Sequence, residues 1–172
     1  FPNAEFGEAA DGNEALHAIW SKPWDVVLLD ISMPGRGGLD ALKDIKQVNP
    51  KLPVIILSMH PEDQFSIRML KLGASGYIRK DSAGHDLVNA VSAALEGNHY
   101  ITPMLAEKMA MHLTHEQDGP PHDSLSDREY QVMCLLASGR TVKEIGNDLS
   151  LSVKTISTYR ARILEKLDLK NN

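Results

Sequence analysis

The chain has 172 residues, 42% apolar and 24% charged, a balance that suits a folded globular protein and argues against a disordered or fibrous one. Its single cysteine, Cys134, excludes an internal disulfide, and beside Val132, Met133, Leu135 and Leu136 it reads as a packed thiol. The net charge of −5 is unevenly spread, with +2 from Ser124 onward and −7 before it, so contact with nucleic acid is expected of the C-terminal part alone.

No apolar run approaches the roughly 18 to 20 residues that span a bilayer, and no basic segment followed by an apolar one opens the chain. The expectation is a cytoplasmic protein with no membrane partner.

In chain order, short β-branched runs alternate with amphipathic ones over the first hundred residues, the pattern of βα units around a parallel sheet. Strands are expected near Ala4–Gly7, Val26–Asp30, Val54–Ser58 and Gly76–Ile78. Helices are expected near Gly12–Trp20, Leu39–Val48, Glu62–Leu72 and Gly84–Glu96. The runs "VVLL" and "VIIL" are continuously apolar, as parallel strands buried on both faces should be.

A further helix near Pro103–Leu113 leads into "THEQDGPPHDS", a polar segment rich in proline and glycine that reads as a flexible linker. From Ser126 the pattern is helical only: Asp127–Ser138, Thr141–Leu149 and Val153–Leu167. Ser126 with Glu129 three residues on is a capping-box signal, and Gly139 stands where a helix should stop.

Ligands of open α/β sheets bind outside the carboxyl ends of the strands. Asp30 and Ser58 fall at such ends and Lys80 just beyond a third, which gathers a carboxylate, a hydroxyl and an ammonium. Phosphoryl transfer to a carboxylate suits that trio: Asp30 as nucleophile, Ser58 bonding a phosphoryl oxygen, and Lys80 pairing with the arriving charge. A divalent cation would screen the approach of two anions. Pro34 stiffens the following loop, and Gly35, Gly37 and Gly38 let the backbone pass close to the site.

The stretches "LLDISMPGRGGLD", "VIILSMH" and "GASGYIRKD", in this order, resemble the phosphoacceptor, switch and lysine motifs of response-regulator receiver domains. The resemblance implies a flavodoxin-like α/β fold of strand order 2-1-3-4-5 and phosphorylation of Asp30 by a sensor histidine kinase. It also implies Mg²⁺ held by Asp30 and the Ser32 backbone carbonyl, and a switch formed by Ser58 and Tyr77. It covers residues 1–97, taken as a partial receiver domain, followed by a helix and linker over 98–123. Receivers begin with a strand that ends in acidic Mg²⁺ ligands, whereas "FGEAADGNEAL" already resembles their second strand and helix. The first strand and its ligands are therefore expected to be missing here, leaving a sheet that should not fold stably alone.

In the C-terminal part, two helices joined by "SLS" have helix-turn-helix spacing. At 100° per residue, Val153, Ile156, Ile163, Leu164 and Leu167 share one face of the last helix, while Lys154, Thr155, Thr158, Ala161, Arg162 and Glu165 share the other. The second face suits a major groove, with contacts expected from its N-terminal half, including Ser157, and from Arg160, whose stem packs while its head reaches a phosphate. The stretch from Leu125 to Asn171 resembles the LuxR-type DNA-binding domain, here residues 124–172 without that domain's last helix. Joined to a receiver, it is the layout of NarL/FixJ-type response regulators. That layout implies a non-enzymatic transcription regulator that binds DNA and pairs as a homodimer when phosphorylated.

A receiver that works by protein contact alone predicts no shift of promoter DNA, and a metal-dependent hydrolase of the same fold would need acid and base residues that cannot be placed here.

Overall fold

A computed structural model of the chain describes residues 1–31, 33, 37–59, 64–114 and 121–169. In chain order they form α1 (Gly12–Ser21), β1 (Val27–Asp30), α2 (Gly38–Val48), β2 (Val54–Ser58), α3 (Gln64–Lys71) and β3 (Gly76–Arg79). Then follow α4 (Ala83–Leu95), α5 (Pro103–Thr114), a 3₁₀ turn at Pro121–Ser124, α6 (Asp127–Ala137), α7 (Val142–Asp148) and α8 (Val153–Lys166).

The strands form one parallel sheet of order β1-β2-β3, the 3-4-5 run of the expected order. Its two faces are covered by different elements, as the period-2 alternation of side chains requires. Leu29, Val54, Ile56 and Tyr77 join the buried cluster that includes Leu39, Leu42 and Ile45 of α2 and Phe65 and Met69 of α3. Ile55 and Ile78 pack instead against Ala90, Val91 and Ala94 of α4.

Two expectations need correction. Residues 4–7 form no strand, and Phe6 is 83% exposed, because no described strand lies alongside to complete a hydrogen-bond ladder. The linker is not wholly irregular either. Residues 115–120 lie outside the described residues, but Pro121–Ser124 is an ordered turn, and Arg68 of α3 donates to the carbonyls of His122 within it and of Leu125 just after it, a contact that a local reading of the segment could not supply.

In the helical part, Val132 of α6, Ile145 of α7 and Ile156 and Ile163 of α8 form the centre. The capping box is present: the Glu129 backbone N–H donates to the Ser126 hydroxyl, and the Glu129 carboxylate accepts from the Ser126 backbone N–H. Thr141 and Glu144 make a second such box on α7. Gly139 stops α6 at φ +84°, a left-handed conformation that glycine adopts without strain. Cys134 is partly buried against this core, as expected of a packed thiol. No described helix is long and apolar enough to cross a membrane.

Candidate functional site

Asp30 ends β1 and Lys80 follows β3, two strands away, and the fold brings them into contact. The Lys80 ammonium donates to Asp30 Oδ2 at 2.5 Å, with both side chains about a third exposed. The parallel register carries the rest: Asp30 stands beside Leu57, and the next residue, Ser58, pairs with Arg79, one position before Lys80. The Lys80 N–H donates to the Ser58 carbonyl at 2.8 Å, which ties the ends of β2 and β3 together. Ser58 and Tyr77 are fully buried, so any part they play proceeds by movement of packed groups and not by open access.

Gly38, at the start of α2, packs closely against the end of β1. The Gly38 N–H donates to the Ile31 carbonyl at 3.3 Å, and a Cβ at Gly38 would lie 2.3 Å from the Asp30 carbonyl oxygen. Glycine is needed here for space. Ser32, Pro34 and Gly35 lie outside the described residues.

Chemically the arrangement offers an accessible carboxylate, a cation already in contact with it, and a backbone packed against the strand end. Among the described residues no three His, Cys, Asp or Glu side chains gather to hold a metal ion. A hard divalent cation takes six or more oxygens, and of the two expected ligands only Asp30 is described. The described residues therefore do not form a cage by themselves.

In the helical part, α7 and α8 are joined by a turn whose Leu151 N–H donates to the Gly146 carbonyl at 2.8 Å. A Cβ at Gly146 would lie 2.8 Å from the Leu151 carbonyl oxygen, so the glycine lets the two helices close on each other. The Ser152 hydroxyl accepts from the Thr155 N–H and caps α8. Lys154, Ser157, Thr158 and Arg162 are exposed, while Thr155 and Arg160 are partly buried. The Thr155 hydroxyl shares a hydrogen bond with Ser152, and the Ser157 and Thr158 hydroxyls donate to the Val153 and Lys154 carbonyls.

The projected apolar face holds for Ile156 and Ile163, which are buried, and for Leu164 and Leu167, which are partly so. Val153 is the exception, at 52% exposed. It opens the helix, and helical side chains lean back toward the N-terminus, which carries it clear of the α6 contact.

Sequence reasoning missed a set of residues joining the two parts. Arg68 of α3 donates to the carbonyls of His122 and Leu125 and lies over the Tyr130 ring, 4.5 Å from its centroid. Phe65 stacks on that ring at 6.3 Å. Lys43 pairs with Asp127 and Asp40 with Arg128. These hydrogen-bonded partners are 54 to 88 positions apart, so no local pattern marks them.

Residues 2–92 match the family model of the response regulator receiver domain, and residues 123–172 match that of the bacterial regulatory proteins of the luxR family. The chain is 36% identical over 167 residues to the response regulator GacA of Pseudomonas aeruginosa, covering 96% of this chain and 78% of that protein. It is 37% identical over 164 residues to the response regulator UvrY of Escherichia coli, covering 95% and 75% respectively.

A structure of the Salmonella typhimurium response regulator RcsB aligns with a TM-score of 0.68 at 28% identity, over 95% of this chain and 76% of that one. The structure of an RcsB–DNA complex aligns with a TM-score of 0.54 at 27% identity, over 94% and 77%. Taken with the carboxylate–lysine contact at the strand ends and the capped helix pair, these matches place the chain in the NarL/FixJ-type response-regulator family: a flavodoxin-like receiver domain joined to a LuxR-type DNA-binding domain that regulates transcription.

Proposed function

We propose that Asp30 is the phosphoacceptor through which a sensor histidine kinase controls this regulator in the cytoplasm. The observation that carries the reading is the Asp30–Lys80 contact at the carboxyl ends of the strands. An Asp30 oxygen attacks the phosphorus, the bond from phosphorus to the donor nitrogen breaks, and an acyl phosphate forms. Lys80 then exchanges part of its contact with the carboxylate for the phosphoryl oxygens, which hold more charge. Ser58 bonds a phosphoryl oxygen and Tyr77 moves with it. Asp30 and the Ser32 carbonyl would be among the ligands of Mg²⁺, an ion typical of receiver phosphorylation sites that would neutralise charge there.

Lys154, Thr155, Ser157, Thr158, Arg160 and Arg162 make the DNA contacts, and the domain division follows residues 1–97, 98–123 and 124–172. Two copies pair when phosphorylated, since a helix-turn-helix reads two half-sites as a dimer. The residues contribute no chemistry beyond accepting and losing the phosphoryl group.

Incubating the full-length protein with labelled acetyl phosphate and Mg²⁺ tests the assignment. Label is expected on the natural chain and not on Asp30→Asn; equal labelling of the two would refute it.

A further inference from the structure

The exposed side of α8 carries two ridges of side chains, each built from residues four positions and so about one turn apart. One holds Lys154, Thr158 and Arg162, the other Val153, Ser157 and Ala161, and all six are exposed. The second ridge offers no hydrogen to a ligand. Val153 and Ala161 have no polar side-chain atom, and the Ser157 hydroxyl donates its one hydrogen to the Val153 carbonyl at 2.9 Å. On the first ridge the Thr158 hydroxyl does the same toward the Lys154 carbonyl, at 3.0 Å, which leaves Lys154 and Arg162 as its donors.

Val153 is more than half exposed, whereas Ile156 and Ile163 of the same helix are buried in the domain core. It is the first residue of α8, held in helical geometry by the Ser152 cap just before it. A β-branched side chain in a helix has one strongly preferred rotamer, so its two methyl groups project from a fixed point at small entropic cost. In a helix-turn-helix domain the N-terminal residues of the second helix approach base edges in the major groove. Thymine alone presents a methyl group there, while cytosine presents an amine that needs an acceptor. An isopropyl group packs on the first and leaves the second unpaired, which costs affinity.

We propose that Val153 is a specificity-determining residue that packs on the 5-methyl group of a thymine in the major groove, while Lys154 and Arg162 on the neighbouring ridge supply the charge that holds the helix on DNA. The inference rests on α8 as the DNA-reading helix and goes beyond it by naming a base and the atom that is read.

The probe is a duplex selected from a randomised pool by the full-length protein treated with acetyl phosphate and Mg²⁺. A thymine is expected at one fixed place in each half-site. Replacing it by deoxyuridine removes the methyl alone and should weaken binding of the natural chain about fourfold, the worth of one buried methyl-sized group. Val153→Ala should bind the thymine probe about fourfold less tightly and lose nothing more on the uracil probe. It should also keep the natural salt slope, since no phosphate contact has gone. Val153→Ile, which keeps the branch, should keep the uracil penalty. A purely structural role for Val153 would instead weaken both probes alike and leave the penalty in place. A selected site with no fixed thymine, or an equal uracil penalty in the natural chain and Val153→Ala, refutes the thymine contact; α8 still reads DNA provided that Lys154→Ala and Arg162→Ala weaken binding. If those two variants bind as the natural chain does, or no duplex is selected, both readings fail.

Discussion

Asp30 and Lys80 are 50 positions apart, yet the two charges meet because β1 and β3 each flank β2 in parallel and their carboxyl ends lie at the same end of the sheet. Both side chains stay about a third exposed, so the contact forms at the rim of the sheet and not inside it. Gly38 shows how little room the site leaves. In Gly38→Ala the new methyl would meet backbone at 2.3 Å, so the strand end or the start of α2 must move. A loss of about 1–3 kcal/mol in urea unfolding is expected, the usual cost of overpacking. Gly37→Ala should cost less, because there the nearest neighbour is the far end of a flexible arginine. Asp30, Ser58 and Lys80 were legible because motif order and strand ends mark them. The tight approach at Gly38 was legible only as a glycine, since what a Cβ would meet depends on the folded loop.

At the scale of elements, helix starts were the most legible feature. Ser126 and Glu129 satisfy two backbone N–H groups that the first turn of α6 would otherwise leave unpaired. Burial alone would raise the Glu129 pKa, but hydrogen bonds from Lys166 and from Ser126 outweigh it and hold the carboxyl below its ordinary value of 4.5. The folded chain thus binds this proton less readily than the unfolded one. The stabilisation is complete above about pH 4.5 and is lost as pH falls through the lower folded value. Urea midpoints followed from neutral to acidic pH should therefore fall less steeply for Glu129→Gln than for the natural chain; parallel curves would contradict this. The segment 4–7 reads as a strand from its residues alone, but a strand is a property of two segments and needs its neighbour.

At the scale of the molecule, the DNA-binding domain is docked through α6 and the Pro121–Ser124 turn, while Lys154, Ser157, Thr158 and Arg162 of α8 stay open to solvent. Docking therefore constrains where the domain sits without covering the face proposed to read DNA. Lys154→Ala and Arg162→Ala should each weaken DNA binding at all sequences and lower the salt slope by about one, measured by electrophoretic shift at several salt concentrations. Unchanged affinity in both would move the contact face elsewhere. The two-part architecture, the charge division, the sheet class and the phosphoacceptor candidate followed from sequence by itself, because periodicity, caps and short motifs are local and each is written within a few residues. The docking of the parts was decided only in three dimensions: Arg68 on the carbonyls of His122 and Leu125, Phe65 on Tyr130, and the crossed pairs of Asp40 with Arg128 and Lys43 with Asp127. Each of those contacts joins residues whose sequence neighbourhoods are ordinary, and its energy exists only once two separately folded surfaces exclude water between them.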